Sequence, residues 1–129
     1  NTTNLVTTYT TNAAQWLKSV GRNDQFRTIV CSTRNRQDVA GVYAGTDANG
    51  RSRVIGLGIA TVRLANVNWT TNGIAQGDLV ISSGVLGCVE AQGDDKITNK
   101  TVARATKRIT TADLVGKDWV DLPVTMVAR

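Results

Sequence analysis

Residues 77–91 read GDLVISSGVLGCVEA. Gly77-Asp78 is a turn signal. Leu79 to Ser82 is a short apolar, β-branched run, Ser83-Gly84 breaks it, and Val85 to Ala91 resumes it. Two such runs separated by turn residues predict paired strands, too short and too rich in branched side chains for helices. The same grammar extends outward in both directions. Upstream, Phe26 to Ser32 and Val39 to Ala44 are apolar runs, and residues 46–50 form a turn cluster ending in Asn49-Gly50, a strong hairpin signal. Arg53 to Leu64 follows, interrupted by Gly56 and Gly58, where a bulge or a close backbone contact is expected. Val67 to Thr70 reads as a further short strand, with Asn72-Gly73 as the next turn. Downstream, Gln92-Gly93-Asp94-Asp95 is a loop. Thr101 to Thr110 alternates Val102, Ala103, Ala105 and Ile109 with Arg104, Lys107 and Arg108. Trp119 to Val127 closes the series, with Pro123 marking an edge or bulge. Many short strands with turns between them predict an all-β fold, a compact β-barrel or sandwich.

The first twenty residues read differently. Asn1 to Thr11 is rich in Thr and Asn, and the expectation for residues 1–11 is an extended N-terminal arm anchored by Leu5, Val6 and Tyr9. Residues 12–129 are then a single β domain with one short N-terminal helix over 12–20. Asn12 can cap that helix, Gln15 can complete a capping box, Ala13, Trp16, Leu17 and Val20 share a face, and Gly21 stops it.

With 129 residues, 41% of them hydrophobic and 19% charged, the chain has the balance of one globular domain. No apolar run approaches the ~20 residues of a membrane helix, and no basic-then-apolar leader is visible. The chain begins with Asn1 rather than Met, so a processed or trimmed start is expected. There is no histidine, which removes Ser-His and Cys-His nucleophile pairs and zinc sites with a His ligand. Cys31 and Cys88 sit among apolar neighbours and read as small core residues, with a single disulfide as the alternative. Net charge is +5. The positives are scattered, except for Lys96, Lys100, Arg104, Lys107 and Arg108, and no aromatic lies within that group, so nucleic acid is not an expected partner. Asp94 and Asp95 read as turn residues. No catalytic, metal or cofactor site is expected. Trp16, Trp69 and Trp119 read as core or interface anchors, with an exposed sugar platform as the functional alternative.

One resemblance spans most of the chain from about Gln15. Val54 to Ala60, Gly77-Asp78-Leu79-Val80, Ser82-Ser83-Gly84, Val85 to Val89, Gln92-Gly93-Asp94-Asp95, Lys100-Thr101-Val102 and Ala103-Arg104-Ala105-Thr106 follow in order. This series resembles the small β domain near the C-termini of tailed-bacteriophage tail fibres, spikes and other virion proteins. The resemblance implies a non-enzymatic virion structural protein, a capsid decoration (cement) or short head-spike protein. It would be a homotrimer on the particle surface whose partners are the major capsid protein or other virion proteins, and not a membrane. A fibre-tip knob for host receptor binding is one alternative. The other is a self-cleaving intramolecular chaperone domain using Ser82, Ser83 or Asp78. Gln15 stands where self-cleaving relatives carry an acidic residue. The expected interface residues are Leu5, Val6, Tyr9, Trp16, Trp69 and Trp119.

Overall fold

The computed structural model describes residues 3–9, 28–50 and 52–127. The helix read over 12–20, with Trp16 on it, lies outside these residues, as does the side chain of Tyr9.

The described chain is mostly β, in two sheets. The first contains β1 (Leu5–Tyr9), β2 (Thr28–Val30), β3 (Val39–Thr46) and β4 (Ser52–Ile55), ordered β2-β1-β3-β4 and wholly antiparallel. The second contains β5 (Ile59–Ala65), β6 (Leu79–Ser82), β7 (Cys88–Ala91), β8 (Thr101–Ala105) and β9 (Trp119–Met126). Its pairings run β5-β7-β6-β8-β9 and return from β9 to β5, so the strands form a closed ring. Only the β5–β7 pair is parallel.

Alternation explains which face each ring strand buries. Ala60, Val62 and Leu64 of β5 and Leu122, Val124 and Met126 of β9 are buried at every second position and meet Val80, Val89, Val102 and Ala105. One end of the ring is closed by Ile74 and Ile109, joined by an isolated antiparallel bridge, and by Leu114. Leu114 comes from α1 (Thr111–Leu114), whose Thr110 and Asp113 form a reciprocal capping box. Val6, Cys31, Val39 and Val42 of the first sheet join the same apolar cluster, so both sheets share one core. Backbone bonds seal the junction: Val6 N donates to Gly87 O (2.8 Å), Gly87 N to Cys31 O (2.6 Å) and Arg63 N to Asn4 O (3.3 Å).

Four expectations change. First, Leu5–Tyr9 is extended but is no arm: it is an interior strand between β2 and β3. Val6, Thr7 and Thr8 are buried, and Thr7 Oγ1 donates to Gly41 O (3.2 Å). A threonine whose hydroxyl finds a backbone carbonyl fills a pleated, buried surface as readily as valine does. Gly41 is required there, because a Cβ at that position would collide with the carbonyl of Ile55. Second, Arg53–Leu64 is two strands in different sheets. Gly56-Leu57-Gly58 is the crossover between them, with Gly58 at φ 79°. Third, Val67–Thr70 is not a strand. Asn68 adopts a left-handed φ of 54° and starts a 3-10 helix over Asn68–Asn72. Fourth, Pro123 lies within β9, which has neighbours on both sides. Its missing N–H costs nothing because it falls where the β8 ladder ends: Ala105 pairs with Val124, and the next residue, Thr106, needs only the Pro123 carbonyl (3.0 Å).

Candidate binding surface

The one deeply buried acidic side chain among the described residues organises an outer corner of the ring. Glu90 lies on β7 opposite Ile81 and is fully buried. Its Oε2 accepts from Arg34 Nε (2.9 Å) and from Asn68 Nδ2 (2.8 Å), while Oε1 is buried without a hydrogen-bond partner. Arg34 comes from the loop after β2. That loop is strapped to β6: Asn35 N donates to Ser82 O (2.9 Å), Arg36 N to Ser82 Oγ (2.8 Å), and Ser82 Oγ to Thr33 O (2.9 Å). Arg36 pairs with Asp38 in the same loop and holds that carboxyl below its ordinary range through the hydrogen bond.

Asn68 links Glu90 to the 3-10 helix, and Thr70 fixes the helix from below. Thr70 is buried, and its Oγ1 accepts from Ala91 N (2.6 Å). Trp69, held between these two anchors, points outward and is 68% exposed. Gly93 lies beside it, placed so that a Cβ there would sit 3.8 Å from Trp69 Cδ1. The loop carrying Gly93 is also tied. Gln92 Nε2 donates to Asp94 Oδ1 (2.8 Å) and Lys96 O (2.6 Å), and Gln92 Oε1 accepts from Thr101 Oγ1 (2.6 Å). The Lys96 backbone N–H and the Gln92 amide hold the Asp94 carboxyl below its ordinary range. Asp94 is therefore a turn residue, as its sequence context indicates.

Of the expected interface residues, Trp16 and the Tyr9 side chain lie outside the described residues, and the other four have different environments. Val6 is in the core, and Leu5 packs where a side chain on Gly87 would otherwise stand. Val6 is fully buried and Leu5 is half-buried. Trp119, at the start of β9, is partly exposed and stacks on Arg63, whose Cζ lies 4.2 Å from the ring centroid. Trp69 is exposed. The largest apolar exposures elsewhere are Ile59 (80%) and Leu57 (71%), at the crossover. Read as one strand, the run puts Leu57 and Ile59 on the same face as Ile55, which packs on the core; the crossover breaks that alternation and leaves both exposed.

Ser82, Ser83 and Asp78 are not brought together as a reacting group. Ser82 Oγ is buried and is used both as donor and as acceptor. Ser83 Oγ accepts from Val85 N (3.1 Å), and Asp78 Oδ2 accepts from Ala75 N (2.8 Å). Asp78 and Ser82 flank β6 at opposite ends, about 13 Å apart at ~3.3 Å per residue. Cys31 and Cys88 are buried free thiols, and burial pushes the Cys88 thiol up. In the cationic group, Arg104 turns back to donate to Gly77 O (2.8 Å). A shallow groove of about 530 Å³ runs beside the Ile74–Ile109 bridge, lined by Gly73, Ala75, Arg108 and Thr110 among others. Among the described residues, no three His, Cys, Asp or Glu side chains converge as metal ligands, and no helix is long and apolar enough to cross a membrane. Comparison with protein-family models, with curated proteins and with solved structures gives no match.

Proposed function

We propose that this chain is a non-enzymatic structural protein of a tailed-phage virion: a capsid decoration or short head-spike protein that assembles as a homotrimer on the particle surface. In this reading the closed five-stranded ring is a compact β-barrel serving as the rigid body. The observation that carries the reading is the exposure of Leu57 and Ile59, at 71% and 80%, on the crossover between the sheets. A protein surface that covered these two neighbouring aliphatic side chains would gain about 1.5–3 kcal/mol for each one fully buried. The resemblance of residues 54–106 to virion β domains supplies the kind of partner. With Val6 in the core and Leu5 half-buried against Gly87, this reading places attachment at the crossover.

The test is the native mass of the purified chain, measured by light scattering, and its co-sedimentation with emptied particles from its source. A trimer that sediments with particles is expected. L57S/I59S should lose trimerisation, particle binding or both while keeping its circular-dichroism spectrum. A monomer that ignores particles refutes the reading, as does a double variant that behaves as wild type in both assays.

A further inference from the structure

We propose that Trp69 is the stacking floor of a binding site for a neutral hexopyranose. Three features of the corner argue for a ligand there. The ring is 68% exposed, although the residues on both sides of it are anchored, Asn68 to buried Glu90 and Thr70 to the β7 backbone. A large aromatic fixed at both shoulders loses little freedom on binding, which is what a recognition platform needs. Gly93 stands beside the ring without a side chain, so that flank stays open at the cost of a glycine held at φ 95°. The neighbouring loop is pre-tied through Gln92, Asp94 and Lys96, so its outward groups keep their positions.

The surroundings select the ligand. Thr71 and Asn72 on the same 3-10 helix, and Gly93, Asp94 and Asp95 on the facing loop, are all exposed, and none is apolar. A protein hot spot needs a rim of side chains that excludes water, whereas these exposed neighbours in the helix and on the Gly93 loop are polar or glycine. A sugar matches that pattern: its C–H face lies on the electron-rich ring face, and its hydroxyls meet polar neighbours at the edge. A nucleic-acid base would also stack, but its phosphates need cations. The loop beside Trp69 carries two carboxylates, Asp94 and Asp95, against Lys96, and Arg34 is engaged with Glu90.

The experiment screens the full chain on a glycan array containing neutral hexose oligomers and follows each hit by 15N–1H spectra of the three Trp indoles. The expected result is saturable binding of at least one neutral hexose glycan, at about millimolar Kd, that shifts the Trp69 indole. W69A should bind at least tenfold more weakly with an unchanged melting curve, and W119F should bind as wild type. W69A should also retain the mass and particle binding of the wild type, which separates this site from the proposed assembly surface. No neutral hexose glycan bound across the array overturns the proposal, as does equal binding by W69A. A Trp69 indole shielded from acrylamide in the free protein overturns it in favour of a second copy. A shift produced by oligodeoxythymidine and by no sugar overturns it in favour of nucleic acid.

Discussion

Removing Arg34 should damage the fold more than removing the carboxylate it pairs with. Glu90 is fully buried, with Oε2 shared between Arg34 and Asn68 and Oε1 unpartnered, whereas the Arg34 side chain is 48% exposed. In R34A the carboxylate stays inside with one hydrogen bond from Asn68. Breaking a buried pair in this way costs about 3–5 kcal/mol. Water can enter the place of a half-exposed guanidinium, which lowers the expectation to about 2 kcal/mol. In E90M the buried charge and its unpartnered oxygen both disappear. The stranded donors are on exposed residues and regain water, so the cost should be about 1 kcal/mol or less. R34A/E90M should then match E90M alone, giving a coupling of about 2 kcal/mol. Urea unfolding at constant m-value measures all three. At ~3–4 °C per kcal/mol for a domain of this size, R34A should also melt about 6–8 °C lower. An E90M variant as destabilised as R34A, or fully additive costs in the double variant, would show that Glu90 acts through packing rather than as a charge that needs its partner.

Further outcomes follow from the same geometry. G41A, which sets a methyl against the Ile55 carbonyl, should lose about 2–3 kcal/mol in urea unfolding; a wild-type midpoint would mean that β3 and β4 separate freely. L122A, which empties a fully buried site in the ring core, should lose about 2–5 kcal/mol, with a cost below 1 kcal/mol placing Leu122 outside the packed interior. The Asp113 carboxyl is lowered by the Thr110 backbone N–H first and its hydroxyl second. Its contribution is therefore fully present above the ordinary aspartate range near pH 4 and fades as pH falls through the lower folded value. The melting-temperature gap between wild type and D113A should accordingly narrow in acid, and a gap unchanged between about pH 7 and pH 2 contradicts that origin. Cys31 and Cys88 should react with a thiol reagent only at the rate of opening, accelerating with denaturant, whereas complete labelling within mixing time in native buffer would place them at the surface.

What was legible in the sequence tracks how local the signal is. Leu79–Ser82, the turn at 46–50 and the terminal strand announce themselves through β-branched runs and Gly, Asn and Asp punctuation, and the chain follows them. Strand assignment to sheets was not legible. Gly56 and Gly58 mark an interruption, but a bulge and a crossover share that spelling, and only the pairing of β4 with β3 and of β5 with β9 distinguishes them. Helix α1 was within reach, because Thr110 and Asp113 have the spacing of a capping box. The alternation over residues 101–110 hides it, because the pattern continues past Ala105, where the strand ends. Glu90 carries no local signal of its role. Its partners are 56 and 22 residues away, and no local pattern encodes a contact that tertiary packing makes.

The N-terminal segment shows why polarity is a weak guide to position in a β protein. Thr7 and Thr8 look like surface residues, yet β1 is paired on both sides and Val6 reaches the common core. Burying a threonine is tolerable when its hydroxyl has a carbonyl to reach, and for Thr7 that is the carbonyl of its register partner Gly41. The same economy runs through the corner under Trp69, where Thr70, Asn68 and Ser82 each spend a side chain on holding backbone or on satisfying Glu90. Polar side chains thus fasten β1 and this corner alongside the apolar cluster that both sheets share. Trp69, Leu57 and Ile59 lie outside the shared apolar cluster, which closes without them.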